Sequence, residues 1–193
     1  MLVVRHGQST WNADERWQGQ ADPPLSALGE RQASEAVAAV AELAPRRVIS
    51  SDLVRARRTA ELLAPVGVHV EVAPAWRERD AGEWTGLTRS EIEEQFPGWL
   101  ADRRSPPGFE GDDALLARAL PALDALLHAE LPGVLLVVAH GGVIGTLERH
   151  LGAPAVRVPN LGGRWFHAEL DGVALGDRDV LVDAETVTVP DQI

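Results

Sequence analysis

The 193-residue chain contains neither cysteine nor lysine. The absence of cysteine excludes disulfides, thiolate metal sites and a cysteine nucleophile, and it leads us to expect a reducing, cytoplasmic location. All 18 basic residues are arginine. Together with the many alanines, this composition indicates a GC-rich genome, so the number of arginines has no functional meaning by itself. The positions of particular arginines can still indicate a function.

The sequence also lacks any apolar stretch long enough to span a membrane. We expect no secretory signal, because the first predicted strand begins at Met1 and leaves no room for one. The formal net charge of −11 disfavours a general nucleic-acid-binding protein. An anionic substrate would therefore need a locally positive pocket on this acidic chain.

The hydrophobic pattern predicts alternating strands and helices. Predicted strands cover residues 2–4, 47–50, 66–72, 134–139, 164–170 and 180–189. Predicted helices cover residues 25–43, 52–63, 88–96 and 112–130, the last with a kink at Pro121, and a further helix follows Gly142 and ends near Leu151. This alternation indicates an α/β fold with a mostly parallel sheet, and the length suits one domain over residues 1–193.

Arginine and histidine side chains follow three of the predicted strands. Arg5 and His6 come at the end of the first strand, Arg55 lies just beyond the second, and His140 follows the long apolar fourth strand. Ligands of open α/β sheets bind beyond the carboxyl ends of the strands, so we expect these four side chains to converge. A guanidinium matches phosphate oxygens, and a histidine is a nucleophile or base near neutral pH. The helix after His140 would direct its positive end to the same place, so the sequence predicts an anion site.

Segment 76–86 supplies the carboxylates that acid–base chemistry would need. It contains Glu78, Asp80 and Glu83 as candidate proton donors. A metal hydrolase would use the same histidines together with Asp52 or Asp80. This alternative is weaker, because two arginines beside the site would repel a cation and the sequence has no His-Glu-x-x-His spacing.

Five ordered segments resemble the motifs of one known family. They are RHGQSTWN at 5–12, RWQG and the residues that follow it at 16–33, SSDLVRA with the Thr-Ala pair at 50–60, ERDAGEWTG at 78–86, and VAHGG at 138–142. These segments resemble those of the histidine phosphatase superfamily, the phosphoglycerate mutase-like proteins, over nearly the whole chain and in the same order. The resemblance implies a single-domain three-layer α/β/α sandwich with a mostly parallel central sheet.

The resemblance also implies a mechanism. His6 would be a nucleophile that attacks phosphorus in line and forms a phosphohistidine. Arg5, Arg55 and His140 would surround the phosphoryl oxygens and offset their charge. Glu78 would protonate the leaving oxygen and then help to activate the water that cleaves the phosphoenzyme. No metal and no cofactor is required, because the arginines and His140 supply the positive charge.

Four further residues are expected near the phosphate or the substrate. Asn12 would add a neutral hydrogen bond to the phosphate, and Gly141 lies just before the helix whose N-terminal amides face the same site. Gln18 and Gly19 either contact the substrate or shape the loop that carries them.

Arg103 and Arg104 bear on the choice of substrate. They resemble the arginine pair with which mutases hold phosphoglycerate, and the alternative is that they lie in a solvated loop. If they face the pocket, they favour a carboxylated phosphate ester such as phosphoserine or a phosphoglycerate derivative. The Gly-Glu-Ser that the family often has near this point is absent, because segment 109–113 reads Phe-Glu-Gly-Asp-Asp.

The expected function is metal-independent hydrolysis of small phosphomonoesters. The short segment before the second histidine motif and the lack of lysine favour hydrolysis over the alternative, a 2,3-bisphosphoglycerate-dependent phosphoglycerate mutase. A non-catalytic phospho-ligand-binding module is a further alternative, which the presence of His6 and Glu78 disfavours. The expected partner is a small phosphorylated metabolite, not a nucleic acid or a membrane, and a homodimer is left open.

Overall fold

A six-stranded sheet forms the centre of the protein. The computed structural model describes residues 1–129, 132–170 and 172–190. The strands are β1 (Leu2–Arg5), β2 (Arg47–Ser50), β3 (Val70–Val72), β4 (Leu135–Ala139), β5 (Gly162–Glu169) and β6 (Gly172–Val180). Their order across the sheet is β3-β2-β4-β1-β5-β6. Strands β1 to β4 run parallel, whereas β5 pairs antiparallel with β1 and β6 pairs antiparallel with β5.

Seven α-helices connect the strands in the described part of the chain. They are α1 (Thr10–Ala13), α2 (Ala27–Glu35), α3 (Val37–Leu43), α4 (Val54–Leu63), α5 (Arg89–Gln95), α6 (Asp112–Leu127) and α7 (Gly141–His150). Side-chain caps determine where some of them begin: the hydroxyl of Ser26 accepts a hydrogen bond from the amide of Gly29 at 3.1 Å, at the start of α2. Two short 3-10 turns, Pro74–Trp76 and Gly82–Trp84, lie between β3 and α5.

The helices cover both faces of the sheet. Leu2 and Val4 of β1 pack in one apolar cluster with residues of α3 and α4, whereas Val3 packs in another with residues of α6 and α7. Successive side chains of a strand point to opposite faces, so a central strand covered on both sides is apolar at every position. Strand β4 is accordingly buried along its whole length. The predicted three-layer α/β/α sandwich with a mostly parallel sheet is confirmed.

The last predicted strand, 180–189, is wrong. The final strand is β6, which ends at Val180, and the described residues beyond it contain no strand. Strand β6 includes two glycines and the charged run Asp177-Arg178-Asp179, so its own strand preference is weak. Its register with β5, from Gly162 opposite Val180 to Glu169 opposite Gly172, holds it in the sheet, and tertiary pairing of this kind leaves little trace in a hydrophobic pattern.

Three other predicted elements differ from the structure by more than two residues at one end or are divided, and the rest agree to within two residues. The predicted helix 25–43 divides at Ala36 into α2 and α3, and the predicted strand 66–72 shortens to β3. Helix α6 runs through Pro121 and ends at Leu127, and the last residue predicted for it, Glu130, lies outside the described residues. No helix in the described ranges combines the length and apolarity needed to cross a bilayer.

Candidate active site

The candidate site lies at the carboxyl ends of the neighbouring parallel strands β1 and β4. Arg5 is in register with Ala139, so the next residues, His6 and His140, leave the two strands side by side. The amide of His6 donates to the carbonyl of Ala139 at 3.1 Å, which fixes this arrangement. The two imidazole rings meet edge to face with centroids 5.1 Å apart, and both are buried.

The contacts of the His6 ring determine which of its nitrogens is nucleophilic. Its Nδ1 lies 2.6 Å from the carbonyl oxygen of Gly7, and a carbonyl only accepts, so Nδ1 carries the proton. The lone pair is then on Nε2, which accepts a hydrogen bond from Nε of Arg55 at 3.2 Å. Burial, and then the charges of Arg55 and Arg5, hold the pKa of His6 well below its ordinary value. The ring is therefore neutral at physiological pH, as a nucleophile must be.

Arg55 is held rigidly beside this ring. It is fully buried, and its Nη1 and Nη2 donate to the carbonyl oxygens of Ala21 at 2.7 Å and Gly19 at 2.9 Å. Thr59, one turn along α4, accepts from the amide of Gly7 at 3.1 Å and donates to the carbonyl of Arg55 at 2.7 Å. Burial lowers the pKa of Arg55 to about 10, which leaves the guanidinium charged at neutral pH.

Arg5 provides the second buried guanidinium. Its Nη1 donates to the carbonyl of Val158 at 2.8 Å, and burial lowers its pKa to about 10. A Cβ atom at Gly141 would lie 3.1 Å from the same Nη1 atom. The glycine therefore lets the arginine side chain approach the first turn of α7 closely.

His140 is oriented by a serine from the segment after β2. The imidazole Nε2 lies 2.9 Å from Oγ of Ser51, which also accepts from the amide of Leu53 at 3.2 Å. Burial, and then the charge of Arg55, hold the pKa of His140 well below its ordinary value, so this ring too is neutral at physiological pH. If the hydroxyl of Ser51 donates to Nε2, the ring proton is on Nδ1 and is available to an anion.

Glu78 is the carboxylate that reaches this cluster. Its Oε1 accepts from the amide of Arg79 at 2.7 Å and its Oε2 accepts from the amide of Gly142 at 3.0 Å, in the first turn of α7. Its buried charge is felt by Arg55 and Arg5, whose pKa values it raises against the effect of burial. Of the other two candidates, Asp80 accepts from the amide of Gly82 in its own turn and Glu83 is exposed.

Packing and an arginine fix the loop that carries Glu78. The rings of Trp17 and Trp84 meet edge to face at 5.0 Å between centroids, which joins this loop to the one after β1. Arg118 of α6 donates to three carbonyls in succession, those of Ala75 at 2.9 Å, Arg77 at 2.7 Å and Glu78 at 3.2 Å. The carboxylate of Glu78 is thus attached to a loop whose main chain is fixed by hydrogen bonds from Arg118 of α6.

The remaining predicted residues fall into two groups. Asn12 and Gln18 are buried in the segment after β1; Oδ1 of Asn12 accepts from the amide of Ser9, and Oε1 of Gln18 accepts from the hydroxyl of Ser9. Gly19 has a φ of +51° and presents its carbonyl to Arg55, so it shapes the loop. In contrast, Arg103 and Arg104 lie exposed in a loop, and the guanidinium of Arg104 lies 4.1 Å from the centroid of the Trp99 ring.

Three buried nitrogen atoms of the predicted site residues have no hydrogen-bond partner among the described residues. They are Nε of Arg5, Nδ2 of Asn12 and, on His140, Nδ1. A buried polar atom without a partner costs about 1–3 kcal/mol, so proteins rarely collect several in one place without a function. Nitrogen donors around a neutral imidazole suit a ligand rich in acceptor oxygens, and a phosphoryl group is such a ligand. Within the described ranges, no group of three or more histidines and carboxylates is arranged to hold a metal ion.

Comparison with known proteins gives the family. The sequence model of the histidine phosphatase superfamily (branch 1) matches residues 1–166. The chain belongs to the histidine phosphatase superfamily. It is 37% identical over 179 residues to a glucosyl-3-phosphoglycerate phosphatase of Mycolicibacterium vanbaalenii, a match that covers 84% of this chain and 79% of that protein.

Two further known proteins are similar to this histidine phosphatase. A probable phosphoglycerate mutase, GpmB, of Escherichia fergusonii is 37% identical over 164 residues, which cover 80% of this chain and 76% of that protein. The solved structure of a mycobacterial glucosyl-3-phosphoglycerate phosphatase in complex with VO3 superposes with a TM-score of 0.82 at 33% identity, over 91% of this chain and 96% of the other. The resemblance seen in the sequence motifs is confirmed.

Sequence reasoning about this histidine phosphatase missed several residues that hold the others in place. Ser51 and Thr59 lie within recognised motifs, but Ser51 acts through its contact with His140 and Thr59 through its contact with Gly7. The spacing of residues along the sequence does not predict either contact. Arg118 lies in the middle of an amphipathic helix, where an arginine is ordinarily a solvated residue. Its hydrogen bonds to the main chain of segment 75–78 depend on the packing of α6 against that loop, which the sequence pattern does not show.

Proposed function

We propose that this histidine phosphatase hydrolyses small phosphomonoesters through a covalent phosphohistidine at Nε2 of His6. The observation that supports this most directly is the 3.2 Å contact between that atom and Nε of Arg55 inside a buried cluster, with Nδ1 of the ring turned to the carbonyl of Gly7. Arg5 and Arg55 offer two fixed positive charges, and Nδ1 of His140, whose ring meets that of His6, is a buried nitrogen atom without a partner among the described residues. Fixed donors of this kind stabilise the charge that develops in phosphoryl transfer without rearranging.

The reaction proceeds in two steps that share one set of residues. In the first, Nε2 of His6 forms a bond to phosphorus while the bond between phosphorus and the ester oxygen breaks, and protonated Glu78 gives its proton to the leaving oxygen. In the second, water attacks phosphorus, Glu78 takes the proton of that water, and the nitrogen–phosphorus bond breaks. The lone pair returns to His6, and inorganic phosphate is released. The amides of Arg79 and Gly142 orient the carboxylate for both transfers.

No metal takes part in the proposed mechanism. The two buried guanidinium groups supply the positive charge that a divalent cation provides in other phosphatases. Activity that is unchanged by EDTA supports this part of the proposal, whereas activity lost with EDTA and restored by zinc or magnesium contradicts it.

Hydrolysis is favoured over mutase activity, although both would use the same phosphohistidine. The relatives that are named phosphatases act on glucosyl-3-phosphoglycerate, and we propose a phosphoglycerate derivative as the substrate. The GpmB relatives support the mutase as the second candidate. Incubation with 3-phosphoglycerate and a trace of 2,3-bisphosphoglycerate separates the two: the proposal expects inorganic phosphate, and a mutase would release 2-phosphoglycerate instead.

The decisive experiment traps the covalent intermediate. Wild-type protein mixed with a labelled phosphomonoester and quenched in base within one turnover should carry label that is stable in base and released in acid, as a phosphoramidate is. His6→Ala should retain the fold by circular dichroism but neither carry label nor turn over p-nitrophenyl phosphate. His150→Ala, which removes an exposed histidine from the end of α7, is the matched control and should behave as wild type. Turnover by His6→Ala would refute the phosphohistidine mechanism.

A further inference from the structure

The main chain around Gly7 determines how the imidazole of His6 is held. Nδ1 of His6 faces the carbonyl of Gly7 at 2.6 Å, and this carbonyl belongs to the peptide plane between Gly7 and Gln8. Glycine has few restrictions on its backbone torsions, so a peptide plane beside it rotates easily unless neighbouring groups fix it. Rotation of this plane would remove the acceptor that keeps the proton on Nδ1, and the lone pair would no longer be confined to Nε2.

Gln32 of α2 fixes the peptide plane that follows Gly7. Its side chain is completely buried, and its Oε1 accepts from the amide of Gln8 at 2.8 Å. The N–H and the carbonyl of a trans peptide point in opposite directions, so this bond keeps the carbonyl of Gly7 turned away from Gln32 and towards His6. Helix α2 lies close enough to do this, because a Cβ at Gly7 would be 2.7 Å from the carbonyl oxygen of Gly29.

Asn160 fixes the peptide plane that precedes Gly7. Its side chain is completely buried, and its Nδ2 donates to the carbonyl of His6 at 2.8 Å. The amide at the other end of this plane, that of Gly7, donates to Oγ1 of Thr59 at 3.1 Å. Both peptide planes that meet at Gly7 are therefore held by buried side chains from distant parts of the chain.

The residue after Asn160 has a strained main chain. Leu161 has a φ of +55°, a left-handed conformation that costs a leucine about 1–2 kcal/mol. Its amide donates to the carbonyl of Arg5 at 3.1 Å, so residues 160 and 161 hold the carbonyls of Arg5 and His6 in succession. Strained residues persist where the surrounding structure fixes them, and they cluster at functional sites. The strain at Leu161 points to a role for this turn beyond the connection of α7 to β5.

The hydroxyl of Thr188 joins the two buried amides. Nε2 of Gln32 donates to Oγ1 of Thr188 at 3.1 Å, and this hydroxyl donates to Oδ1 of Asn160 at 2.7 Å. Main-chain bonds support both contacts, because Nε2 of Gln32 also donates to the carbonyl of Thr186 at 2.7 Å and the amide of Asn160 donates to the carbonyl of Thr188 at 2.8 Å. The amide oxygen of Gln32 and the amide nitrogen of Asn160 are already bonded to the main chain of residues 6–8, so each side chain can have only one orientation.

We propose that Gln32 and Asn160, joined by the hydroxyl of Thr188, are positioning residues that hold the peptide planes of Gly7 and thereby keep the lone pair of His6 on Nε2. The proposal rests on the proposed phosphohistidine mechanism, in which that lone pair is the nucleophile. The three side chains act through the main chain of residues 6–8 and not on the phosphoryl group. They should therefore affect the formation of the phosphohistidine and leave the binding of phosphate almost unchanged.

Nitrogen NMR of protein labelled in histidine measures the tautomer of His6 directly. Wild type should carry the proton on Nδ1 at neutral pH, whereas Gln32→Met, which keeps the length of the side chain but not its hydrogen bonds, should populate both tautomers. Formation of the phosphohistidine from p-nitrophenyl phosphate in a single turnover should slow by about 10-fold or more. The Kd of inorganic phosphate should change by less than about threefold, because Arg5 and Arg55 keep their own partners.

The matched control for this substitution is Gln95→Met. It changes an exposed glutamine at the end of α5 and should preserve the tautomer, the rate and the Kd of wild type. Circular dichroism establishes that each variant is folded. A His6 tautomer in folded Gln32→Met equal to that of wild type would overturn the proposal.

Substitutions at the half-buried Thr188 test the connection between the two amides and disturb the interior less. Thr188→Val is nearly isosteric but lacks the hydroxyl, and it should slow formation of the phosphohistidine by about 3- to 10-fold and shift the tautomer of His6. Thr188→Ser retains the hydroxyl and should come within about twofold of the wild-type rate. If valine and serine slow the step equally, or if Thr188→Val has the tautomer and rate of wild type, the proposal is overturned.

The double variant Gln32→Met with Thr188→Val tests whether these side chains act as one network. Side chains that share a network are not additive, so the double variant should be within about twofold of Gln32→Met alone. If the two rate reductions instead multiply, the residues act independently and the proposed connection through Thr188 is wrong.

The outcome is separable from failure of the phosphatase function. Turnover of p-nitrophenyl phosphate by wild type reports on the reaction, whereas the tautomer of His6 is measured without any turnover. If wild type hydrolyses no ester, the phosphatase function fails, and the NMR comparison of wild type with Gln32→Met and Thr188→Val still decides the positioning role. If turnover is normal and the tautomer is the same in all three proteins, only the positioning role fails.

Discussion

The lone pair of His6 faces Arg55, whose Nε lies 3.2 Å from the Nε2 of the imidazole. The other nitrogen of the ring is occupied by its hydrogen bond to the carbonyl of Gly7, so this relationship selects one nitrogen as the nucleophile. Arg55 therefore acts on the nucleophile in two ways: its charge adds to burial in lowering the pKa of His6, and it stands where a phosphoryl oxygen would be received.

Replacement of Arg55 separates these two effects. Arg55→Lys keeps a positive charge but lacks the planar fork, and we expect kcat/KM for p-nitrophenyl phosphate to fall by about 100-fold or more. Arg55→Gln removes the charge that lowers the pKa of His6, so that pKa rises. Because neutral His6 is the reactive form, the acid limb of the pH profile of kcat/KM should move to higher pH in Arg55→Gln and move little in Arg55→Lys. An acid limb unmoved in Arg55→Gln would contradict this electrostatic link.

The residues that converge at the strand ends could be predicted from sequence, and the reason is geometric. Arg5, His6 and His140 follow apolar runs, and parallel strands in register deliver the residues after them to one edge of the sheet. The roles of Ser51 and Thr59 could not be predicted in this way. A hydroxyl makes no pattern along the chain, and its partner is set by the placement of another element within about 3 Å.

The proton donor is a second feature that the sequence alone could not decide. Sequence offers Glu78, Asp80 and Glu83 within six residues, and only the path of the loop separates them. The structure directs Glu78 to the amide of Gly142 and turns Glu83 to solvent. Arg79 belongs to the same segment, and no motif gives it a role, yet its guanidinium is buried and pairs with Asp112 at the start of α6.

Ser51 is expected to set the proton position on His140. In Ser51→Ala the Nε2 atom of His140 loses its partner at 2.9 Å, and the ring is free to carry its proton on either nitrogen. We expect kcat to fall by about 10-fold, the order of one lost hydrogen bond. Nitrogen NMR of labelled histidine should show a change in the tautomer of His140.

The neighbouring serine provides the control for this prediction. Ser50→Ala removes a hydroxyl that donates to the carbonyl of Ser51 at 2.7 Å. It should leave kcat and the tautomer of His140 close to those of wild type. Ser51→Thr retains a hydroxyl and should restore part of the rate. A tautomer and rate unchanged in Ser51→Ala would show that the ring is oriented by packing alone.

Gly19 and Gly67 form a matched pair of glycines with positive φ, +51° and +85°. An alanine at Gly67 meets nothing within 4 Å, whereas a Cβ at Gly19 would lie 2.6 Å from the amide nitrogen of Ala81. Gly67→Ala should lower the free energy of unfolding by about 1–2 kcal/mol through backbone strain. Gly19→Ala should lower it by more, because its Cβ also clashes with the main chain of Ala81. Only Gly19→Ala should also displace the carbonyl that holds Arg55 and reduce kcat/KM by about 10-fold or more. Equal kcat/KM values in the two variants would contradict the positioning role of Gly19.

The two buried histidines should make the protein less stable in mild acid. Burial lowers the pKa of both His6 and His140 in the folded state, whereas in the unfolded chain each titrates near about 6.5. Below that pH, the two histidines bind protons in the unfolded state but stay neutral in the folded state. The stabilisation is therefore present above about pH 6.5 and is lost as the pH falls below it, by up to about 1.4 kcal/mol per pH unit for each histidine.

Urea unfolding of wild type at about pH 8, 6 and 5 measures this loss. Carboxylates also titrate in this range, so the informative quantity is the difference between the slopes of wild type and of variants. His140→Gln replaces one buried imidazole with a group that does not titrate, and the free energy of unfolding should then fall less steeply below about pH 6.5. His150→Gln removes an exposed imidazole and should keep the slope of wild type. A His140→Gln slope equal to that of wild type would mean that the imidazole of His140 takes up its proton in the folded protein.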